Sequence, residues 1–144
     1  MAYWLMKSEP DVFSFEDMTA KTKRGEPESW HGVRNYAARN NMKAMELGDE
    51  AFFYHSNIGK EIVGIMKVVA LAHPDATAEP DAKGNIVWQC VDVEAVKPLP
   101  KPVTLATVKA TPELSELELV KYSRLSVSKV SEAEWAFICR MGGL

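Results

Sequence analysis

The apolar residues of this chain arrive in short runs, and that spacing limits the fold more than any other feature. Residues 2–6, 50–56, 61–69, 85–96 and 123–130 are apolar or alternating, with many β-branched and aromatic side chains. Each is bounded by Pro, Gly, Asn, Asp or Ser, so each reads as a strand. Only Asn57-Ile58-Gly59-Lys60 separates the second run from the third, which makes that pair an antiparallel hairpin. Between the runs stand brief helical patterns with recognisable caps. Ser14 precedes Glu16 and Asp17, and Ser131 opens a capping box with Glu134. Thr104 caps a short helix, and Thr111-Pro112-Glu113 starts another. None of these helices falls at βαβ spacing. The expectation is an α+β fold, a mostly antiparallel β-barrel of about five to six strands with short inserted helices, closed so as to protect its edges. Residues 97–102, with three prolines, should break the fourth strand, and 21–28 and 73–84 should be loops. Trp88 and Trp135 fall in patterns that suit core positions, as do Met42, Met45 and Met66.

The 144 residues make one domain, 1–144, of ordinary size. A content of 47% hydrophobic and 26% charged residues is globular. Net charge is -3, which argues against a basic arm and against strong non-specific duplex binding. Cys90 and Cys139 stand far apart, as reduced thiols do, and the three histidines show no HxxxH or HExxH spacing. No metal and no cofactor is therefore expected. Charges interrupt every apolar stretch and the N-terminus has no signal-peptide core, so the expected location is cytoplasmic, with no membrane partner.

The densest chemistry lies in Trp30-His31-Gly32-Val33-Arg34-Asn35-Tyr36. Asn35 is a good N-cap, and Ala38, Met42 and Met45 then share one helical face, with Gly48 as the stop. An indole, a guanidinium and an amide are thus delivered to a helix N-terminus, where anions are favoured. That combination suits a nucleotide. The same residues also suit a plainer role, with Trp30 anchoring a core and Arg34 carrying a surface charge, and the residues alone leave both open. Other polar clusters occur at strand ends: Lys7-Ser8-Glu9, Tyr54-His55-Ser56-Asn57, and Arg124 with Ser126. Ser8, Glu9, Asn35, Ser56 and Asn57 could read a base edge, and Arg34, Arg39 or Arg124 could take a phosphate. Glu9 could equally be a solvated charge. His55 could act as a base paired with Glu9, which would make an enzyme acting on a nucleotide or nucleic acid, or it could bond locally in its strand. There is no GxSxG, no GxxxxGK[ST] and no GxGxxG, so hydrolase, triphosphatase and dinucleotide chemistry lack their usual signatures.

Longer blocks are more specific. Residues 3–10 (YWLMKSEP), 30–40 (WHGVRNYAARN), 53–57 (FYHSN), 62–65 (IVGI) and 123–127 with 131–135 together resemble the EVE domain family, in the family's order and over nearly the whole chain. The resemblance implies a PUA-like fold related to YTH and ASCH domains. It also implies a reader of a modified nucleobase, with modified cytosine in DNA favoured and RNA possible. Because the sequence carries no fused nuclease, helicase or translocase, such a non-enzymatic reader would act through an effector protein or by shielding the base. Carried onto this sequence, the pocket would comprise Trp30, Gly32, Val33, Arg34 and Asn35 on one side. Lys7, Ser8, Glu9, Tyr54, His55, Ser56 and Asn57 would face them, with Arg124, Leu125 and Ser126 at the rim.

Overall fold

The computed structural model describes residues 1–144. Six strands form one sheet: β1 (Tyr3–Ser8), β2 (Glu28–Ser29), β3 (Glu50–His55), β4 (Glu61–Pro74), β5 (Gln89–Thr104) and β6 (Val127–Val130). Five helices join them: α1 (Phe15–Lys23), α2 (Tyr36–Ala44), α3 (Leu105–Lys109), α4 (Glu118–Lys121) and α5 (Glu132–Met141), with a 3-10 turn at Pro112–Leu114. The sheet order is β2-β5-β4-β3-β1-β6. All neighbours are antiparallel except β1 and β3, which run parallel with Tyr3 opposite Glu50 and Ser8 opposite His55. The fold is α+β, as expected.

The sheet does not close into a barrel. Its edges, β2 and β6, are two and four residues long and do not pair with each other. The β6 edge is blunted by side chains instead: Asn41 Nδ2 donates to the Val127 carbonyl at 2.7 Å, and the Lys129 N–H donates to Glu118 at 2.9 Å. With its ladder groups satisfied, the edge gains little from closure.

Three elements differ from the sequence expectation because distant partners outweigh local signals. β5 runs through Pro98, Pro100 and Pro102. Beyond Val93 its outer side has no strand partner, and an unpaired edge is where a missing N–H costs nothing. β4 continues past Val69 to Pro74, so His73 lies in a strand. Strand β2, inside what reads as a loop, exists only by pairing Glu28 and Ser29 with Val93 and Asp92. Smaller shifts follow the same logic. Helix α1 reaches Lys23, the last strand begins at Val127 rather than Ser123, and β5 begins at Gln89, one residue after Trp88. Helix α2 ends at Ala44, with extended Met45 as its cap, so Gly48 is not its stop. Gly48 takes φ +86° in the turn before β3, where its N–H donates to Val68.

Pleating puts a separate core on each face of the sheet. One holds Met6, Phe53 and Met66 against Met18 of α1, Met42 of α2, Met45 and Trp30. The other holds Leu5, Phe52 and Tyr54 against Leu114, Leu117 and the α5 residues Trp135 and Ile138. Trp135 stacks on Phe52 at 3.9 Å. Trp88 is not core: it is half-buried and lies against the exposed ring of Tyr36 at 4.8 Å.

Candidate nucleic-acid interface

Residues 28–34 reach the surface where β1 ends. β2 delivers them, and the Trp30 N–H donates to the Val91 carbonyl at 2.8 Å, extending the pairing with β5 by one bond. Trp30 then turns inward. It is 7% exposed and meets Phe53 edge-to-face, with ring centroids 5.5 Å apart. The core-anchor role that its sequence left open is therefore real, and only its rim reaches the surface.

The loop after Trp30 is clasped by Asp75, which sequence reasoning missed. This carboxylate is 1% exposed. It accepts from the Gly32 N–H at 2.7 Å and from Arg34 Nη1 at 3.0 Å. It also accepts the Thr77 N–H and hydroxyl, at 2.8 and 2.6 Å. Burial alone would raise its pKa, but the hydrogen bonds from Thr77, Gly32 and Arg34 outweigh it and hold the carboxyl well below the usual range. Arg34 also donates to the Val33 carbonyl and to Thr77, and its guanidinium lies 5.7 Å from the Trp88 ring. Its fork holds the loop. Gly32, at φ +86°, supplies the turn that aims its N–H at Asp75. Asn35 accepts from the Ala38 N–H at 2.9 Å and so caps α2. Arg39 donates to the Val87 carbonyl and to Asn40, with its guanidinium over Tyr36.

Between this loop and the end of β1 lies a cavity of about 140 Å³, lined by Lys7, Ser8, Val12, Phe13, Glu28, Ser29, Trp30 and His31. A protein cavity of roughly 150 Å³ takes one benzene ring, so the space suits a single planar ring. Lys7, Ser8 and Trp30 were candidates from the sequence. Glu28, Ser29 and His31 were not, since β2 has no local signal; only the adjacency of His31 to Trp30 pointed there. Ser8 Oγ donates to the Phe13 carbonyl at 2.6 Å and Ser29 Oγ to Asp92 at 2.7 Å, which fixes both hydroxyls. His31 is exposed.

The remaining candidates divide by pleat. Ser8 ends β1 with Glu9 just beyond it, and His55 ends β3 on the face of Phe53, its ring 5.5 Å from that of Phe53. Tyr54, Ser56 and Asn57 line a different cavity, which Lys7 also lines. Leu125 belongs to a third, beside Ala37 and Tyr122. Val33 is buried, Arg124 is exposed, and the Ser126 carbonyl accepts the Lys7 N–H at 2.9 Å.

The Glu9–His55 pair does not form. Glu9 accepts a hydrogen bond from Asn57 Nδ2, and His55 Nε2 accepts the Phe15 N–H at 3.2 Å, at the start of α1. Burial lowers the His55 pKa against the opposing charges of Glu61 and Glu16, which favours the neutral ring this bond requires. A second grouping, Cys90, His73 and Asp92, resembles a nucleophile triad in composition only. Cys90 Sγ is 3.9 and 4.0 Å from the two ring nitrogens of His73, while His73 Nε2 is engaged by Asp92 at 2.8 Å. Burial first, then the charges of Asp75 and Asp92, push the thiol up to about 11. At neutral pH it is held as the protonated thiol rather than the nucleophilic thiolate. No group of three or more His, Cys, Asp or Glu is placed to hold a metal, and no helix is long and apolar enough to cross a membrane.

Comparison with known proteins gives this geometry its context. Human thymocyte nuclear protein 1 is 37% identical over 95% of this chain and 72% of its own length. A crystal structure of an Agrobacterium tumefaciens protein superposes with a TM-score of 0.92 at 53% identity, covering 100% of this chain and 94% of that one. Human THYN1, crystallised in complex with DNA containing 5-methylcytosine, superposes with a TM-score of 0.89 at 34% identity, covering 100% and 99%. The EVE domain model matches residues 2–141. With six strands, the Trp30 loop and both sheet faces inside that match, the chain belongs to the EVE domain family.

Proposed function

We propose that this protein is a non-enzymatic reader of a modified nucleobase, with 5-methylcytosine in DNA as the favoured ligand, held in the cavity between Trp30, His31, Ser29 and Ser8. The observation that carries the reading is the human THYN1 complex with 5-methylcytosine DNA, a structure of the same fold at 34% identity over the full chain. The local chemistry supports it. The cavity has one-ring dimensions, an apolar side from Trp30, Phe13 and Val12, and polar groups at Ser8, Ser29, Glu28 and Lys7. A base extruded from its stack would regain stacking and edge hydrogen bonds there. On this reading Arg39, Arg124 and the exposed ring of Tyr36 would meet the flanking strand. RNA as ligand, an effector protein that acts on the bound complex, and a cytoplasmic location belong to the same proposal.

The enzymatic alternative is not favoured, because Glu9 and His55 are each engaged elsewhere. The test is a binding titration with oligonucleotides carrying cytosine, 5-methylcytosine, 5-hydroxymethylcytosine or N6-methyladenine, with recovered strands weighed by mass spectrometry. Tighter binding of one modified base, an unchanged strand mass, and at least a several-fold loss in His31→Ala are expected. An altered mass would establish an enzyme, and indifference to every modification would defeat the reader reading.

A further inference from the structure

A second cavity, of about 230 Å³, lies between the β3–β4 turn and helices α3 and α4, on the face of Tyr54 rather than Phe53. Lys7, Lys60 and Lys109 all line it, and no carboxylate does. None of the three lysines takes part in an ion pair. Lys60 and Lys109 also line an adjoining depression of about 470 Å³. In a chain of net charge -3 this is a local reversal of sign. The cavity is also held in place. Lys7 Nζ donates to the Ser123 carbonyl at 2.8 Å and lies 5.9 Å from the Tyr54 ring centroid, which leaves two ammonium protons free. Lys60 adopts φ +47°, a conformation non-glycine residues rarely take, and its carbonyl is tied to the Leu105 N–H at 2.8 Å. Ser56 and Asn57 complete the polar lining, while Leu119 and Val120 make one wall apolar, which strengthens charge interactions.

We infer that this cavity is a phosphate site, with Lys7, Lys60 and Lys109 sharing the charge of one phosphoryl group and Ser56 donating to its oxygens, while the Asn57 amide stays engaged by Glu9 at the margin. Three compact cations around one small volume suit a tetrahedral oxyanion, which can meet several point donors at once. Burial lowers the Lys7 pKa, and an anion in the cavity would offset that cost. Two sources could supply the group. One is inorganic phosphate or a free mononucleotide. The other is the backbone of a nucleic acid whose base occupies the Trp30 cavity, and that source rests on the reader reading; Lys7 lines both cavities.

The test compares the native chain with the Lys60→Gln, Lys109→Gln double variant, both positions being exposed and unpaired, with thermal melts to verify folding. Inorganic phosphate and cytidine monophosphate are titrated while amide NMR signals of residues 56–60 are followed. Oligonucleotide affinity is measured across a salt series. Saturable shifts in the native chain that vanish in the variant establish the site. If the backbone is the source, the variant's log–log salt slope falls by about 1.4 for single strands, at ~0.7 per contact, with base preference retained. Saturable shifts with an unchanged slope assign the site to a free phosphate. Absence of saturable shifts together with an unchanged slope would overturn the inference. Saturable shifts in a protein indifferent to cytosine methylation would keep the phosphate site and remove the reader.

Discussion

Asp75 and His55 show how single residues govern the candidate interface. Asp75 gathers Gly32, Arg34 and Thr77 around one buried carboxylate, so Asp75→Ala strands several donors at once. Urea unfolding should show a loss of roughly 2–4 kcal/mol, moderated by the partial exposure that lets Arg34 rehydrate. Its depressed pKa contributes stability in full above the ordinary value of 3.8, and that contribution is lost as pH falls through the folded value. His55 acts in a higher window. Because its folded pKa lies below the ordinary 6.5, the unfolded chain takes the proton first, and stability declines as pH drops below 6.5. His55→Gln, whose carbonyl can accept the Phe15 N–H, should flatten the decline in stability below pH 6.5, as read by melting temperature at fixed ionic strength. Trp30 carries a double role, so Trp30→Ala should cost about 3–5 kcal/mol of stability before any ligand is considered. Exposed His31 is the cleaner probe of binding.

Among the elements, those governed by local chemistry were legible in the sequence. Ser14, Asn35 and Ser131 cap α1, α2 and α5 with the expected side-chain bonds, because a cap and the backbone N–H that donates to it lie within four residues. The Asn57–Lys60 turn was legible for the same reason. What pairing over long distances decides was not. The parallel register of β1 on β3, the two-residue β2, and the clasp of Asp75 on Arg34 across 41 positions have no local signature. The site followed suit: Ser8 and Trp30 were visible as types, but the division of neighbouring residues between sheet faces required knowing which strand pleats against which. Gly64 gives a test at this scale. A Cβ there would meet the Phe15 ring at 2.4 Å, so bare backbone is what seats α1 on β4. Gly64→Ala should destabilise by about 1–3 kcal/mol in urea unfolding, through overpacking. Removing both side chains that cover the β6 edge, with Asn41→Ala and Glu118→Ala, should leave ladder groups unpaired and raise self-association measured by light scattering.

For the whole molecule, a net charge of -3 and two surface cavities that share Lys7 support the proposal of binding through local complementarity rather than a broad basic face. Affinity for unmodified duplex should therefore be weak, and discrimination should come from one ring in one cavity. The most direct test of the reader is the ratio of dissociation constants for two otherwise identical oligonucleotides differing by a single cytosine 5-methyl group, at one salt concentration. Burying that methyl is worth about 0.8 kcal/mol, so a preference of at least roughly fourfold for the methylated strand is expected. A ratio of one would contradict the account.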